Sequence, residues 1–300
     1  MTKTIFLTGG GGFVGKALRA RLVHTGWRVL RLTRSKEDAA ADDSAVLGDL
    51  LDPKPYSQAL NGVDVVVHLA AITGKASPKD YWAANVDGAR ALLEACKAAG
   101  VPRFLHVSTI AAGYADRRFF PYANSKLAAE ELVRASGLAF TILRPTVVIG
   151  PGSPVWDSLQ KIARLPVIPL PQGKQPVRTQ PVDVRDVARA IEIVVAKGPF
   201  EGEILDVGGA DSESFADFLL AVRRATVGKP APIIRAPLEP VRLALALLEP
   251  VARPVLPVTA GQLALFANNS DARPNWLDSH LRPRMASTAI MLANLSGAPE

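Results

Sequence analysis

The sequence predicts an α/β protein: a doubly wound parallel sheet with a smaller C-terminal companion domain. Three observations predict it. Short apolar runs alternate with helical periodicity over the first half of the chain, and a glycine string joins the first run to the first helix. The run Val63–Leu69 is apolar nearly throughout, as a parallel strand covered on both faces must be.

The elements follow in order. Ile5–Leu7 reads as a strand, and Phe13–His24 as a helix carrying Val14, Leu18 and Leu22 at four-residue spacing, with Gly26 as its stop. Trp27–Leu32 is the next strand and Ala45–Leu47 a short apolar step before Val63–Leu69. Tyr81–Ala99 is a helix closed by Gly100, Phe104–Val107 a buried strand, Tyr122–Ala135 a helix and Phe140–Leu143 a further strand. After Pro145 the texture changes, and Gly150–Gly173 reads as a proline-rich loop excursion. Val187–Ala196 is a helix and Ile204–Val207 a strand that rejoins the sheet. Ser212–Val227 is a helix with Ser212 as its cap. The expected division is residues 1–150 plus about 181–207 for dinucleotide binding, with about 151–180 plus 208–300 forming the smaller substrate or partner domain.

Composition narrows the function. Hydrophobic residues make up 48% of the 300 and charged residues 21%, enough to bury a core and too few charges for a disordered chain. The net charge of +7 favours anionic partners, but the cations are scattered, so no nucleic acid is expected. Cys96 is the only cysteine, which excludes an internal disulfide and a cysteine zinc site. His24, His68, His106 and His280 lack metal-ligand spacing, so no metal is expected, and His68 and His106 read as core residues. There is no signal-peptide pattern and no apolar stretch of spanning length, so a cytoplasmic protein is the default.

Thr8–Gly15 carries Gly9, Gly12 and Gly15 at G-x-x-G-x-x-G spacing, with Phe13 and Val14 opening the helix. The first glycine allows a tight turn, the second lets backbone approach a pyrophosphate and the third lets helix and sheet pack closely, the signature of a Rossmann core. The helix N-terminus offers free N–H groups to the phosphates. The second strand ends in Thr33-Arg34 where an NAD enzyme usually carries an acidic residue. Thr33 does not repel a 2′-phosphate and Arg34 can clamp one, so NADP(H) is favoured and NAD(H) stays open. Asp49 and Leu50 suit the adenine, as hydrogen-bond acceptor and packing surface. Leu69, Ala70 and Ala71 leave room for a dinucleotide at the sheet's carboxyl edge.

Tyr122 and Lys126 stand at i and i+4 on one helix face. A free phenol titrates near ~10, and a neighbouring ammonium brings it within reach of general acid/base work. Ser108 and Thr109, at the end of the preceding strand, are both candidates to polarise a carbonyl oxygen.

These segments together resemble an extended or atypical short-chain dehydrogenase/reductase, related to nucleotide-sugar epimerases. They are Thr8–Gly15, Gly48–Leu50, His68–Ala71, Tyr122–Lys126, Arg144–Gly152 and Val182–Ala188, in order over about residues 4–210. The resemblance implies that Tyr122 and Lys126 are the catalytic pair, that Thr109 falls where the family carries its serine or threonine, with Ser108 one position earlier, and that Pro145 borders the cofactor. Ser108–Gly113 lacks the valine-tyrosine-glycine continuation of sugar epimerases, which weakens a nucleotide-sugar substrate. Phe104–Ser108, Pro166–Gly173, Pro181–Ala188 and Pro257–Asn269 look similar to the group around the NADPH-binding accessory subunit of respiratory complex I, which includes a relative linked to ubiquinone biosynthesis.

Three functions follow as expectations: an NADP(H)-dependent oxidoreductase acting on a carbonyl or alcohol, an NADPH-binding structural or assembly protein, and an epimerase or dehydratase using the same machinery. The small-molecule substrate is unidentified and a homodimer is open. Arg178 reads as a loop arginine ahead of a phosphate-binding one, and Asp183 and Asp186 as helix-capping. Leu238–Leu256 reads as a packing helix with Val241, Leu245 and Leu248 as its stripe, ahead of a peripheral element at the inner membrane or in a respiratory complex.

Overall fold

The computed structural model describes residues 2–173, 175–253, 256, 258–282 and 285–296. Its first strand, β1 (Thr4–Thr8), is buried over its last four residues and feeds α1 (Phe13–Leu22) through the glycine turn. β2 (Arg28–Thr33), α2 (Lys36–Ala41) and β3 (Ala45–Leu47) continue outward on one side. The chain then crosses back to β4 (Val65–His68), buried at all four positions.

The helix expected over Tyr81–Ala99 starts earlier and is interrupted. Ser77 and Asp80 form a capping box that starts α3 (Pro78–Tyr81), a π-helical stretch covers Trp82–Asp87, and α4 (Gly88–Ala98) resumes. β5 (Arg103–Val107), α5 (Pro121–Arg134) and β6 (Ala139–Pro145) follow.

The 150–173 segment is more regular than its prolines suggest. After β7 (Val148–Ile149), Ser153 caps α6 (Pro154–Ala163) by accepting from Trp156 N–H, and Pro154 sits at the start of the helix, where its missing N–H costs nothing. β8 (Ile168–Gln172), β9 (Arg178–Thr179) and β10 (Val182–Asp183) come next. α7 (Val184–Lys197) is capped by Asp183, and β11 (Glu203–Val207) rejoins the sheet. After β12 (Glu213–Ser214), α8 (Phe215–Val227) is capped by Ser214, not by Ser212. Ser212 Oγ instead donates to Asp271 at 2.6 Å and accepts from Arg178. β13 (Ile233–Pro237), α9 (Leu238–Ala252), α10 (Asp278–Leu281) and α11 (Thr288–Ser296) complete the described elements.

The central sheet has seven parallel strands in the order β11-β6-β5-β4-β1-β2-β3. Strand order therefore reverses between β1 and β4, the crevice where ligands bind on open sheets of this kind. Apolar side chains cover both faces. Ile5, Leu7, Val65 and Val67 face α1 and α7, whereas Phe6, Val66 and Phe104 face α4. A separate cluster gathers Ile149, Trp156, Leu159, Phe215, Phe218 and Met291, and Leu277 and Leu281 pack on the first sheet cluster. No described helix is long and apolar enough to cross a membrane.

Candidate active site

Two glycines of the first turn, Gly9 and Gly15, each have a steric reason. Gly9 adopts φ +73°, and a Cβ there would lie 2.6 Å from Ala70 N, across the β1–β4 crevice. A Cβ on Gly15 would run into the Gly9 carbonyl and the Gly10 backbone, so α1 can approach the sheet only without one. Around Gly11 there is open space, and Gly12 begins the helix with no side-chain cap. The turn before α1 is thus open at Gly11 and lies beside Leu69 and Ala70, room for a pyrophosphate at the helix N-terminus. Phe13 lies against the Gly150 turn, and Pro145 closes β6 beside Val207.

At the end of β2, Arg34 is exposed and makes no ion pair among the described residues. Arg31, buried, holds Asp42 at 2.9 Å and Asp38 at 3.1 Å, and Thr33 Oγ1 donates to Asp38 at 3.4 Å. Hydrogen bonds from Ser44 and Arg31 pull the Asp42 carboxyl down to about 2. Asp49 steadies its own turn by accepting from Leu51 N–H, and Leu50 packs so tightly against Gly88 that a Cβ there would lie 2.7 Å from its side chain.

α5 and the end of β5 assemble the reactive groups. Tyr122 stands between the rings of Tyr81 and Phe120, at 5.8 and 5.7 Å. Burial pushes its phenol up to about 12, while a hydrogen bond with Thr109 pulls the other way. Lys126 is buried, its Nζ donating to Val107 O at 2.9 Å with His106 Nε2 at 3.4 Å, and burial brings it down to about 8. His106 and His68 stack with centroids 5.2 Å apart, His68 Nδ1 bonded to Thr8 Oγ1 at 2.7 Å. Desolvation keeps both neutral: His68 falls to about 3 and His106 goes well below its usual range.

Of the two hydroxyls at the end of β5, the fold brings Thr109 to Tyr122 and turns Ser108 away. Ser108 Oγ donates to Glu130 Oε1 at 2.6 Å, and Glu130 also receives the Arg144 guanidinium at 2.6 and 2.8 Å. Ser108 is therefore corrected from a polarising candidate to a member of a buried ionic cluster. Arg178 is likewise engaged, with Ser212 at 2.6–3.1 Å and Asp271 at 3.6 Å.

A hollow of about 300 Å3 opens at the N-terminal end of α5, and Tyr122, Thr109 and Lys126 are not among its described lining residues. It is lined by Pro78, Phe119, Phe120, Pro121 and Asn124 together with Ala246 and Glu249 of α9 and Arg253 just after that helix. Phe119 is held at φ +59°, a left-handed conformation rare for an aromatic residue, with Gly261 packed against its carbonyl.

A protein-family model described as the NAD dependent epimerase/dehydratase family matches residues 5–208. The chain belongs to this family. A ceramide reductase of Caulobacter vibrioides is 32% identical over 242 residues, covering 78% of this chain and 73% of that protein. A 2-alkyl-3-oxoalkanoate reductase of Shewanella oneidensis is 34% identical over 176 residues, 50% of this chain and 46% of that relative's length. The fold is similar to UDP-glucose 4-epimerase of Thermus thermophilus, solved in complex with NAD, with TM-score 0.69 and 24% identity over 99% of this chain and 100% of the other.

The epimerase/dehydratase family assignment makes the chain an NAD(P)-binding enzyme of extended short-chain dehydrogenase/reductase type. Two residues of its site were not singled out from the sequence. Asn85, buried in the π-helical stretch, accepts from Ile72 N–H at 2.8 Å and donates to Ser125 Oγ at 2.9 Å, tying α5 to the loop after β4. Such stretches are frequent at functional sites, but a lone asparagine in a helix gives no sign of one. Glu130, four residues beyond Lys126 on the same helix, was the readable signal, a carboxylate on a face meant for the core.

Proposed function

We propose that the chain is an NADP(H)-dependent reductase that moves hydride between the nicotinamide and the carbonyl or alcohol carbon of a small molecule with an apolar body. The observation that carries this reading is the hydrogen bond of Thr109 with Tyr122, with the buried Lys126 one turn further along α5. An apolar wall of Phe119, Phe120 and Pro121 stands at the start of the same helix. The names of the relatives, ceramide reductase and 2-alkyl-3-oxoalkanoate reductase, support a ketone on an apolar skeleton.

The bound dinucleotide supplies the hydride. The chain's residues do the rest. The Gly9–Gly15 turn would hold the pyrophosphate, Thr33 and Arg34 the adenosine ribose with its 2′-phosphate, Asp49 and Leu50 the adenine, and Lys126 the nicotinamide ribose. Thr109 polarises the substrate oxygen, and Tyr122 gives it a proton in reduction or takes one in oxidation. The Lys126 ammonium stabilises the phenolate this leaves. An exposed Arg34 without an ion pair among the described residues supports the phosphorylated cofactor. Arg178, engaged with Ser212 and Asp271, is not available to a sugar-nucleotide phosphate, which counts against an epimerase.

Calorimetric titration with NADPH, NADP+, NADH and NAD+ tests the cofactor. Arg34→Ala is expected to weaken NADPH by roughly tenfold or more, the worth of one charge-assisted fork, and to leave NADH unchanged. A preference for NADH overturns the NADP assignment. A carbonyl screen with Tyr122→Phe as control tests turnover. NADPH retained with no turnover supports the structural or assembly protein instead.

A further inference from the structure

Four of the large apolar side chains that the fold leaves in solvent share one helix, α9. Leu243 is 56% exposed, Leu247 72%, Leu248 49% and Val251 86%. Their spacing of four, five and eight residues sets them on one side of the helix. Only Leu238 and Arg242 of α9 are buried, so this is no packing helix of the ordinary kind, and Leu248 of the expected packing stripe lies in solvent. The part of Leu238–Leu256 at 254 and 255 lies outside the described residues.

The opposite side of α9 is tied down. The Arg242 guanidinium, fully buried, pairs with Asp116 at 2.8 Å and donates to Arg118 O at 3.1 Å. The helix's other charges also have partners: Glu239 bonds Arg118, and Glu249 accepts from Ala260 N–H. From Leu243 to Val251 the exposed positions of the helix carry no charge, and the exposed Glu239 one turn earlier is paired with Arg118. Cations stand at both ends. Arg235 is exposed on β13 just before α9, Lys75 donates to the Leu256 carbonyl just after it, and Lys79 adjoins the cavity-wall residue Pro78. The whole chain carries +7.

We propose that the leucine face of α9 seats on a bilayer containing acidic phospholipid, the helix lying flat in the interface. This docking does not rest on the reductase reading above. An apolar face rimmed by cations is the pattern of an interfacial helix.

The test is flotation of the full chain with vesicles of phosphatidylcholine alone or mixed with phosphatidylglycerol, alongside a Leu247→Glu/Val251→Glu double variant. The wild type is expected to float with the mixed vesicles, and the variant to bind them at least about tenfold more weakly, two apolar contacts having become charges. Unchanged melting temperature and NADPH affinity would show that the variant folds. No flotation of the wild type, or equal flotation of both proteins, overturns the proposal. Equal binding to both vesicle types overturns its acidic-lipid part. A wild-type dimer that the variant breaks, without flotation, gives the face to a second copy and overturns it too. Flotation by a protein that binds no dinucleotide would keep the surface and refute the reductase reading.

Discussion

The Ser108 hydroxyl donates to Glu130 Oε1 at 2.6 Å, and this one hydrogen bond separates two neighbouring hydroxyls into different tasks. Ser108 serves a buried ionic cluster with Arg144, while Thr109 meets the Tyr122 phenol. Ser108→Ala is expected to cost about 1.5–3 kcal/mol of stability, a single buried hydrogen bond to a charged group, and to leave turnover within a few-fold. Thr109→Ala should cost about 1 kcal/mol, because its hydroxyl also caps the turn at Ile110–Gly113, and lower kcat roughly 10²-fold, the scale of one lost polarising donor. Urea unfolding and steady-state kinetics on both variants check the division, and equal kcat losses would refute it.

Glu130→Ala should be the more damaging change. It strands the Arg144 guanidinium, 7% exposed, without its carboxylate. A buried pair broken on one side costs about 3–5 kcal/mol, read as a large drop in unfolding midpoint. Glu130→Gln, which keeps the shape, should recover part of that loss.

Burial holds Lys126 at about 8, below a free lysine. As pH rises from about 8 to about 10.4, the folded lysine releases its proton while the unfolded one keeps it. The unfolded state then binds more protons, so stability rises with pH across that window. Relative to a Lys126→Met variant, which has no such group, the wild type should gain up to about 3 kcal/mol by the upper end. A flat difference would mean that the lysine is solvated.

The two neutral histidines act in acid. His68 is brought down to about 3 and His106 well below its usual range, both by burial. Below about pH 6.5 the unfolded chain protonates these rings and the folded one does not, so the stability present above that pH is lost as pH falls. Each ring contributes up to about 1.4 kcal/mol per pH unit. A His106→Leu variant should lose stability less steeply than the wild type between about pH 6.5 and 4.5, measured by denaturant titration.

Glycine substitutions sort the turn. Gly15→Ala should destabilise by at least about 2 kcal/mol, because its Cβ would meet backbone that cannot yield. Gly11→Ala, with open space around it, should stay within about 0.5 kcal/mol. Thermal melts of the two variants distinguish them.

The central sheet and its glycine turn were legible because they depend on local order: an apolar run has one period, and a glycine at a strand-to-helix turn has one steric use. Tyr122 and Lys126 were legible for the same reason, since four residues along a helix share a face whatever surrounds them. α6 was hidden because proline reads as a breaker, although Ser153 and Pro154 together spell a helix start. Contacts between distant segments were not legible at all.

What the sequence determined by itself was the parallel α/β core, the dinucleotide turn and the tyrosine–lysine pair, all consequences of short-range periodicity and steric need. Only the tertiary structure decided that Thr109 and not Ser108 faces the phenol, because that choice depends on where Glu130 and Arg144 arrive from α5 and β6. It also decided that Arg178 is tied to Ser212, and that α9 turns its leucines outward. A hydrophobic stripe records what a helix could bury; only the ion pair of Arg242 with Asp116, made between segments 126 residues apart, determines which side is anchored and which is left in solvent.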